Sequence, residues 1–299
     1  MHREGDPPVS TATTTTSAAP RSSRARAARG IARVAAVQAR IELRRRFLRW
    51  TAVSFLVPPV VLFLVFRFLD LDLFGGADGV RSVLAGFAAA SMFVGGMVGI
   101  ASELVTEQED GSVLRAKTLP FGMASYLSGK LIALSVTNLV ALVLILISSD
   151  LVIGGVLPRD PVGWIGVAGL AVLTLACTVP LGATLGSLVS SPFAVLPLSL
   201  VAYGLMLVSG VFFPVELLPE WLRAVVSVFP VYWLGELARA VLLPGFVLEG
   251  GRLVLAVVVP LAWGVLGMIL APRALGAMAR RQSGRRLETI QERRAQRGY

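Results

Sequence analysis

Six long apolar segments constrain the fold of this chain more than any other feature. They lie at about 50–68, 83–102, 131–149, 162–189, 193–213 and 253–271. A helix of roughly 20 apolar residues crosses the hydrocarbon core of a bilayer. A helix also satisfies its own backbone hydrogen bonds there, which an irregular segment cannot do. The sequence therefore predicts an all-α integral membrane protein with six transmembrane helices.

The distribution of charge supports this class. Only 15% of the residues are charged, whereas a soluble domain carries about 25%. The net charge is +10. Most of the arginines lie in 21–49 and 273–297, directly outside the first and last apolar segments. Basic flanks beside membrane spans indicate topology and contact with anionic lipid rather than nucleic acid. The single Cys177 and single His2 argue against a metal site built on these residue types.

Four regions follow from this pattern. Residues 1–25 form a tail whose Thr-, Ser- and Pro-rich composition predicts disorder. Residues 26–49 are predicted to form an amphipathic helix on the inner membrane surface, with Arg33, Arg40 and Arg44 toward anionic headgroups. A basic tail in solution is the alternative for this segment. Residues 50–272 are the transmembrane domain, and 273–299 form a second basic tail.

Both basic tails are predicted to lie in the cytoplasm, because positively charged flanks stay inside. An even number of spans agrees with this arrangement. The connecting segments 103–130 and 190–192 are then cytoplasmic, whereas 69–82, 150–161 and 214–251 are outside.

The segment 103–130 is the longest polar island between two apolar segments. Its acidic residues oppose the positive-inside trend and favour docking to a basic protein surface; a merely solvated loop is the alternative. Two short helices are predicted here, joined at Gly111 and stopped before Pro120, with Glu103 and Glu107 one turn apart on a shared face. The predicted coupling residues are Glu103, Glu107, Glu109, Asp110, Gly111, Arg115 and Pro120.

The segment 214–251 contains two apolar pieces, 220–229 and 231–243, which prolines separate and which are each too short to span a bilayer. We predict re-entrant or interfacial helices on the outer side. Glu236 and Arg239 are spaced as an i, i+3 pair, which serves either as an interfacial anchor or as part of an outward gate. Trp221 and Trp233 are predicted interfacial anchors. The predicted gate residues are Phe213, Pro214, Pro219, Trp221, Glu236 and Arg239.

Small and polar residues within the spans predict helix contacts. Two Gly-xxx-Gly pairs, Gly95 with Gly99 and Gly182 with Gly186, would allow close approach of another helix. Asn138 is the only asparagine in the chain, and we predict that it forms an interhelical hydrogen bond.

Catalytic motifs do not account for the chain. Ser128-Gly129-Lys130 fails as a phosphate-binding loop because Ala124 and Leu131 stand where glycine and Ser or Thr are needed. The metalloprotease pattern HExxH and the hydrolase pattern GxSxG do not occur in the sequence. The sequence therefore predicts a protein that is not itself an enzyme and that binds no cofactor of its own.

Two blocks of sequence resemble a known family, the membrane subunits of type-2 ATP-binding-cassette (ABC) exporters, in the drug and polyketide efflux branch. The first block comprises Glu107, Glu109, Gly111, Ser112, Leu114, Pro120, Gly129 and Lys130. The second comprises Gly210, Phe213, Pro214, Leu218, Pro219, Trp221, Leu222, Pro230 and Arg239. The second block is the more specific of the two.

The resemblance implies a permease of the bacterial plasma membrane that pairs as a homo- or heterodimer and is driven by two separate ABC ATPase subunits. ATP and Mg would bind those subunits, which would push on the interfacial helix and on the coupling helix after the second span. The expected cargo is an amphipathic drug or natural product, so antibiotic resistance is an expected role. A lipid or glycan exporter of the same architecture, and a membrane scaffold or immunity protein that does not transport, are the alternatives.

Overall fold

The computed structural model describes residues 76–110, 122–189, 191–212 and 218–296, together with residues 37 and 40 and scattered helical positions between 57 and 68. Every regular element within these ranges is an α-helix. The helices are α1 (Gly76–Asp110), α2 (Gly122–Ile153), α3 (Pro161–Leu188), α4 (Pro192–Val208), α5 (Glu220–Val228), α6 (Pro230–Leu242) and α7 (Gly250–Gln296). The predicted all-α membrane architecture is confirmed in this part of the chain.

Four of the described helices are long and apolar enough to cross a membrane, or five if α5 and α6 count as one broken span. They are Gly76–Gln108, Gly129–Ile153, Pro161–Leu188 and Gly250–Met278, and they contain the predicted segments 83–102, 131–149, 162–189 and 253–271. The predicted fifth span is the 17-residue helix α4. Most of the first lies outside the described residues, so the total of six spans stays a prediction.

Helix α3 packs between α1 and α7, and glycines make both contacts close. A Cβ added at Gly186 would lie 2.6 Å from Ala101 Cα on α1, and one at Gly264 would lie 2.7 Å from Ala176 O on α3. Gly182 meets Ile100 and Met97 in the same way, so the predicted role of the Gly182–Gly186 pair is confirmed. In lipid the hydrophobic effect does not drive two helices together, so their association depends on van der Waals packing. Glycines at the contact allow the two backbones to approach closely, which improves that packing.

The other predicted glycine pair does not make such a contact. Among the described residues, no atom lies within 4 Å of a Cβ built at Gly95 or Gly99. The neighbouring Gly96 takes this role instead, since a Cβ there would lie 2.7 Å from Thr178 Cγ2. The helical phase of α1, rather than the spacing of its glycines, decides which of them faces α3.

The predicted division of 214–251 into two short helices is confirmed. Helices α5 and α6 meet at an angle of 85°, and the break falls at Phe229, directly before Pro230. Two tryptophans stabilise the break: Trp233 Nε1 donates to Ser227 O at 2.7 Å, and Trp263 Nε1 donates to Val228 O at 2.8 Å. The Trp263 ring also stacks on Phe229 with centroids 5.8 Å apart.

Two predictions about these segments need correction. Trp233 is not a surface anchor, because it is buried and its indole N–H serves the α5–α6 break. Trp221, by contrast, is 68% exposed, as an interfacial side chain would be. The stretch 103–110 is not a separate short helix on the membrane surface, because α1 continues without interruption from Gly76 to Asp110.

Candidate functional site

Charged side chains form two clusters at opposite ends of the helix bundle. The Arg239 cluster consists of Arg239, Glu236, Arg252 and Tyr232, and the Lys130 cluster consists of Lys130, Glu103 and Glu107. Helix α1 contacts both of them. Ionised groups inside a membrane protein are costly unless they are paired, so such clusters mark candidate functional sites.

Arg239 and Glu236 are the most deeply buried ion pair in the described chain. Their side chains are each 9% exposed, and Arg239 Nη1 lies 2.7 Å from Glu236 Oε1. Both residues lie on α6 one turn apart, which confirms the predicted i, i+3 pair. The pair is enclosed among the helices of the bundle rather than exposed at its surface.

The remaining N–H groups of Arg239 bind backbone carbonyls of two other elements. Nε donates to Ser82 O of α1 at 3.2 Å. Nη2 donates to Gly210 O, just beyond the end of α4, and is 3.4 Å from Val211 O. The guanidinium fits because α1 has no side chain at Gly86, where a Cβ would lie 3.0 Å from Nη2. Arg239 thus joins α6 to the start of α1 and to the segment after α4.

Glu236 extends the cluster to the last helix. Its second oxygen, Oε2, lies 2.8 Å from Arg252 Nη2 on α7, and the same Nη2 donates to Tyr232 OH at 2.9 Å. Arg252 differs from Arg239 in that its side chain is 49% exposed. One carboxylate therefore bridges an enclosed arginine and an accessible one, and through them it connects the bent α5–α6 pair to α7.

The Lys130 cluster joins α1 to α2. Lys130 Nζ lies 2.6 Å from Glu103 Oε1 and also pairs with Glu107 Oε1. The two acids share a helix face, as predicted, because they bind the same ammonium group. Their predicted exposure to a partner is wrong for Glu107, which is only 3% exposed. These carboxylates hold together the two helices that enter and leave the segment 111–121.

The same end of the bundle contains polar side chains that complete the C-terminus of α3. Gln108 Nε2 of α1 donates to Gly186 O at 3.3 Å and to Val189 O at 3.1 Å. Arg281 Nη2 of α7 donates to Ser187 O at 2.9 Å. Carbonyls in the last turn of a helix have no partner within the helix and carry partial negative charge, so an amide and a guanidinium suit them. Helices α1, α3 and α7 are thereby tied together beside the Lys130 cluster.

A family model described as ABC-2 family transporter protein matches residues 62–271, which is more than half of the chain. The chain belongs to the ABC-2 transporter family. It is therefore a multi-pass membrane permease of an ABC transporter, and membership of this family implies association with an ABC ATPase subunit. The matched range contains both charged clusters and leaves out both basic tails. A comparison with curated proteins found no match.

Several predicted site residues of the permease lie outside the described residues. These are Arg33, Arg44, Gly111, Arg115, Pro120, Phe213 and Pro214. Arg40 is helical and exposed. The described helix α1 includes Glu109 and Asp110 at its end, and Pro219 caps the start of α5. The predictions for these residues as coupling or gate groups remain predictions.

Asn138 of the permease forms a hydrogen bond different from the predicted one. Its Nδ2 donates to Leu134 O of its own helix at 3.0 Å, rather than to a neighbouring helix. The amide still lies at a helix contact, because a Cβ at Gly96 of α1 would come within 3.1 Å of it. Asn138 therefore fills a space between α1 and α2 and has no described hydrogen bond across it.

Sequence reasoning missed four residues that organise the two ends of the permease: Lys130, Gln108, Arg252 and Gly86. From the sequence, Lys130 belongs to a failed phosphate loop and to the first family block, and no ion pair is predicted for it. Lys130 is the cation at the start of the third apolar segment, and Glu103 and Glu107 follow the second. This placement could have indicated an ion pair between the two helices. Arg252 offered a similar signal as the charge at the start of the last span. Nothing in the local sequence distinguishes Gly86 from the other glycines of α1.

Among the described residues, no group of three or more His, Cys, Asp or Glu side chains could hold a metal ion.

Proposed function

We propose that this chain is the export permease of a bacterial ABC transporter, which moves an amphipathic drug or natural product outward across the plasma membrane. The energy would come from separate ATPase subunits that bind ATP and Mg. The Lys130 end of the bundle is assigned to the cytoplasm because both arginine-rich tails favour that side. The Arg239 end is then the outer end.

One observation carries this proposal: a single uninterrupted helix, α1, belongs to both charged clusters. Ser82 and Gly86 contact Arg239 near its first turns, and Glu103 and Glu107 bind Lys130 near its last. At about 1.5 Å per residue, Ser82 and Glu107 are roughly 38 Å apart along the helix, more than the hydrocarbon thickness of about 30 Å. A helix of this kind can transmit a displacement from one membrane surface to the other.

The Lys130 cluster supports a coupling role for the segment 111–121. Because Lys130 binds two glutamates of α1, the helices on both sides of this segment are held together. An ATPase that pushed on the segment would move α1 and α2 as one body. The docking surface itself would then consist of the segment and the residues at its edge, Glu109 and Asp110, rather than of the buried Glu107.

The Arg239 cluster supports a gate on the outer side. It holds the bent α5–α6 pair against α1, α4 and α7 through charged hydrogen bonds. Charge-assisted bonds of this kind are strong and directional, so the cluster favours discrete arrangements over gradual deformation. A movement of α1 would displace Arg239, because Ser82 and Gly86 of α1 contact its guanidinium.

A strip of small residues on α1 supports a transport pathway along that helix. Ser102 and Thr106 continue the face of Gly95 and Gly99, and they line a cavity of about 230 Å³ together with Val195, Leu196 and Ser199 of α4. Hydroxyl groups among apolar side chains suit a cargo that is both polar and apolar. A second permease chain, identical or different, would face this strip and enclose the pathway.

The test is reconstitution of the permease with its ATPase subunit in vesicles, followed by ATP-dependent movement of fluorescent lipophilic cations and labelled antibiotics. An ATPase that binds ATP without hydrolysing it supplies the background. Reversing the charges of Glu109 and Asp110 to Lys should lower co-purification of the ATPase and abolish transport. Glu249→Lys, at an exposed position on the opposite end, is the matched control and should leave both unchanged. Co-purification without any transport would favour a scaffold and refute the export function.

A further inference from the structure

A large cavity lies at the Arg239 end of the bundle. Its volume is about 1100 Å³, and ligand pockets in proteins commonly measure roughly 300–1,000 Å³. The cavity is bounded by the start of α1, the segment 155–160, the start of α3, and the end of α6 with the turn that follows it. Ser82, whose carbonyl oxygen accepts from Arg239, is a lining residue that also contacts the Arg239 cluster.

The polar wall of the cavity is held in place by hydrogen bonds. Asp150 Oδ1 accepts from the backbone N–H groups of Val156 and Leu157 at 2.9 and 3.0 Å. Arg81 Nε donates to Gly154 O at 2.9 Å. A wall fixed in this way is preformed, so a ligand would not need to order it on binding.

Four charged residues line the cavity: Asp78, Arg81, Arg159 and Asp160. Each acid has one engaged oxygen, since Asp78 Oδ1 pairs with Arg81 at 2.6 Å and Asp160 Oδ2 caps α3 by accepting from Gly163 N at 3.0 Å; the Asp78 side chain is nevertheless 90% exposed. Arg159 is exposed at the rim, and within the described part of the chain no hydrogen bond or ion pair of its guanidinium occurs. The lining therefore has balanced formal charge, and its exposed charged groups include the Arg159 guanidinium and the Asp78 carboxylate. A guanidinium of this kind suits a phosphate group.

Apolar side chains complete the lining of the cavity, and they continue onto the exposed surface of the bundle. Val162, Val241 and Phe246 line it. Val162 is 73% exposed, and the adjacent Trp164 and Ile165 are also exposed. An exposed apolar surface at the end of a membrane helix, with a tryptophan among its residues, lies at the depth where lipid headgroups meet acyl chains. A ligand would therefore reach this cavity from the bilayer.

We infer that this cavity binds a zwitterionic glycerophospholipid of the outer leaflet. Its phosphate would lie at Arg159 and Arg81, and its ammonium group would lie near the exposed carboxylate of Asp78. The upper part of one acyl chain would lie along Val162 and Val241. The balanced charge of the lining favours a zwitterionic headgroup over one with net negative charge. The lipid would be a resident component of the permease rather than its cargo.

The experiment is native mass spectrometry of the full-length permease extracted from vesicles that contain dioleoylphosphatidylethanolamine. The wild-type protein is expected to retain this lipid. Arg159→Gln should reduce the retained fraction about tenfold, because the charged hydrogen bond to the phosphate is lost. Arg159→Lys should restore part of it. The matched control is Arg280→Gln, at an exposed arginine on the opposite end, which should retain the lipid fully.

Two further ligands identify what is recognised. Dioleoylglycerol has the same chains without phosphate and should not be retained. Soluble glycerophosphoethanolamine has the headgroup without chains and should not compete at millimolar concentration. Retention of dioleoylglycerol, full competition by the soluble headgroup, or equal retention by Arg159→Gln at unchanged thermal stability would each overturn the inference. None of these outcomes depends on transport, so failure here leaves the export proposal intact.

Discussion

Arg239 and Gly86 are in such close contact that a Cβ at Gly86 would lie 3.0 Å from Arg239 Nη2. The guanidinium lies on bare backbone of α1, and this position lets it reach Ser82 O and Gly210 O together. The position of Arg239 on α6 therefore requires a residue without a side chain at position 86 of α1, although the two residues are far apart in the sequence. This pair is a direct contact between α1 and α6.

Gly86→Val should therefore displace Arg239 and lower stability by roughly 1–3 kcal/mol, as overpacking of a close contact does. The reason is steric, because the added carbons occupy the space of the guanidinium. Gly95→Val is the matched control on the same helix, since no described atom lies within 4 Å of a Cβ there. Thermal unfolding of the detergent-solubilised protein measures both variants. Equal unfolding midpoints for Gly86→Val and Gly95→Val would contradict the proposed contact.

The two arginines bound to Glu236 should differ strongly when each is replaced by methionine. Arg239→Met removes the buried partner of a carboxylate and leaves Ser82 O and Gly210 O without their donor. Breaking a buried pair from one side costs about 3–5 kcal/mol. Arg252→Met removes a half-exposed partner, and pairs near the surface contribute about 1 kcal/mol or less.

Chemical unfolding monitored by tryptophan fluorescence distinguishes these two variants. If Arg252→Met proved as destabilising as Arg239→Met, the assignment of Arg239 as the enclosed member and Arg252 as the accessible one would be wrong. If Arg252→Met folds normally yet loses transport, the accessible arginine contributes to gating rather than to folding. Normal transport by Arg252→Met would limit the gate to Arg239 and Glu236.

The sequence was sufficient for the features that depend on length, hydropathy and proline. The four membrane-capable helices contain predicted apolar segments, and the break between α5 and α6 falls at Pro230 as expected. Both follow from local physics. A run of apolar residues requires a helix in lipid, and Pro230 lacks the N–H group that would continue α5 but suits the first turn of α6. The pairing of Glu236 with Arg239 was also local, since residues three apart share a helix face.

The features that the sequence did not determine depend on contacts between distant segments. Two acids near a loop suggested a docking surface, yet Glu107 is buried because Lys130 of the next helix binds it. Gly95 and Gly99 had the spacing of a helix contact, but the rotation of α1 presents Gly96 to α3. Spacing shows which residues share a face, whereas the partner of that face depends on the packing of the whole bundle.

The Lys130 cluster predicts rescue by exchange of charges. Lys130→Glu places three carboxylates together and should destabilise the protein, and Glu107→Lys should also do so by placing two ammonium groups beside one carboxylate. The double variant restores an opposite pair at the same contact, so it should be more stable than the sum of the single effects by about 0.5–3 kcal/mol. Unfolding midpoints of the four proteins give this coupling energy.

A matched control shows whether the rescue depends on contact. Lys130→Glu combined with Glu249→Lys has the same net charge as the exchange, but Glu249 is exposed at the opposite end of the bundle. This combination should not restore stability. Equal rescue by both double variants would mean that net charge, rather than the contact between Lys130 and Glu107, determines the result. The exchange also separates folding from docking, because Glu109 and Asp110 are left unchanged.

The close packing of α1 on α3 gives the last prediction. At Gly186 a Cβ would lie 2.6 Å from Ala101 Cα and 3.1 Å from Ala101 O. These two nearest atoms are backbone, so rotation of a side chain cannot relieve the contact and the helices must separate. Gly186→Ala should therefore lower the free energy of unfolding by roughly 1–3 kcal/mol, although alanine is the better helix former by about 1 kcal/mol. Gly169→Ala is the matched control on the same helix, since no described atom lies within 4 Å of a Cβ there, and it should be neutral or slightly stabilising.

Separation of α1 from α3 would also draw Gln108 away from the carbonyl oxygens of Gly186 and Val189, which lie at 3.3 and 3.1 Å. Gln108→Ala combined with Gly186→Ala should consequently cost less than the sum of the two single changes, and strictly additive unfolding energies would show that the two contacts are independent.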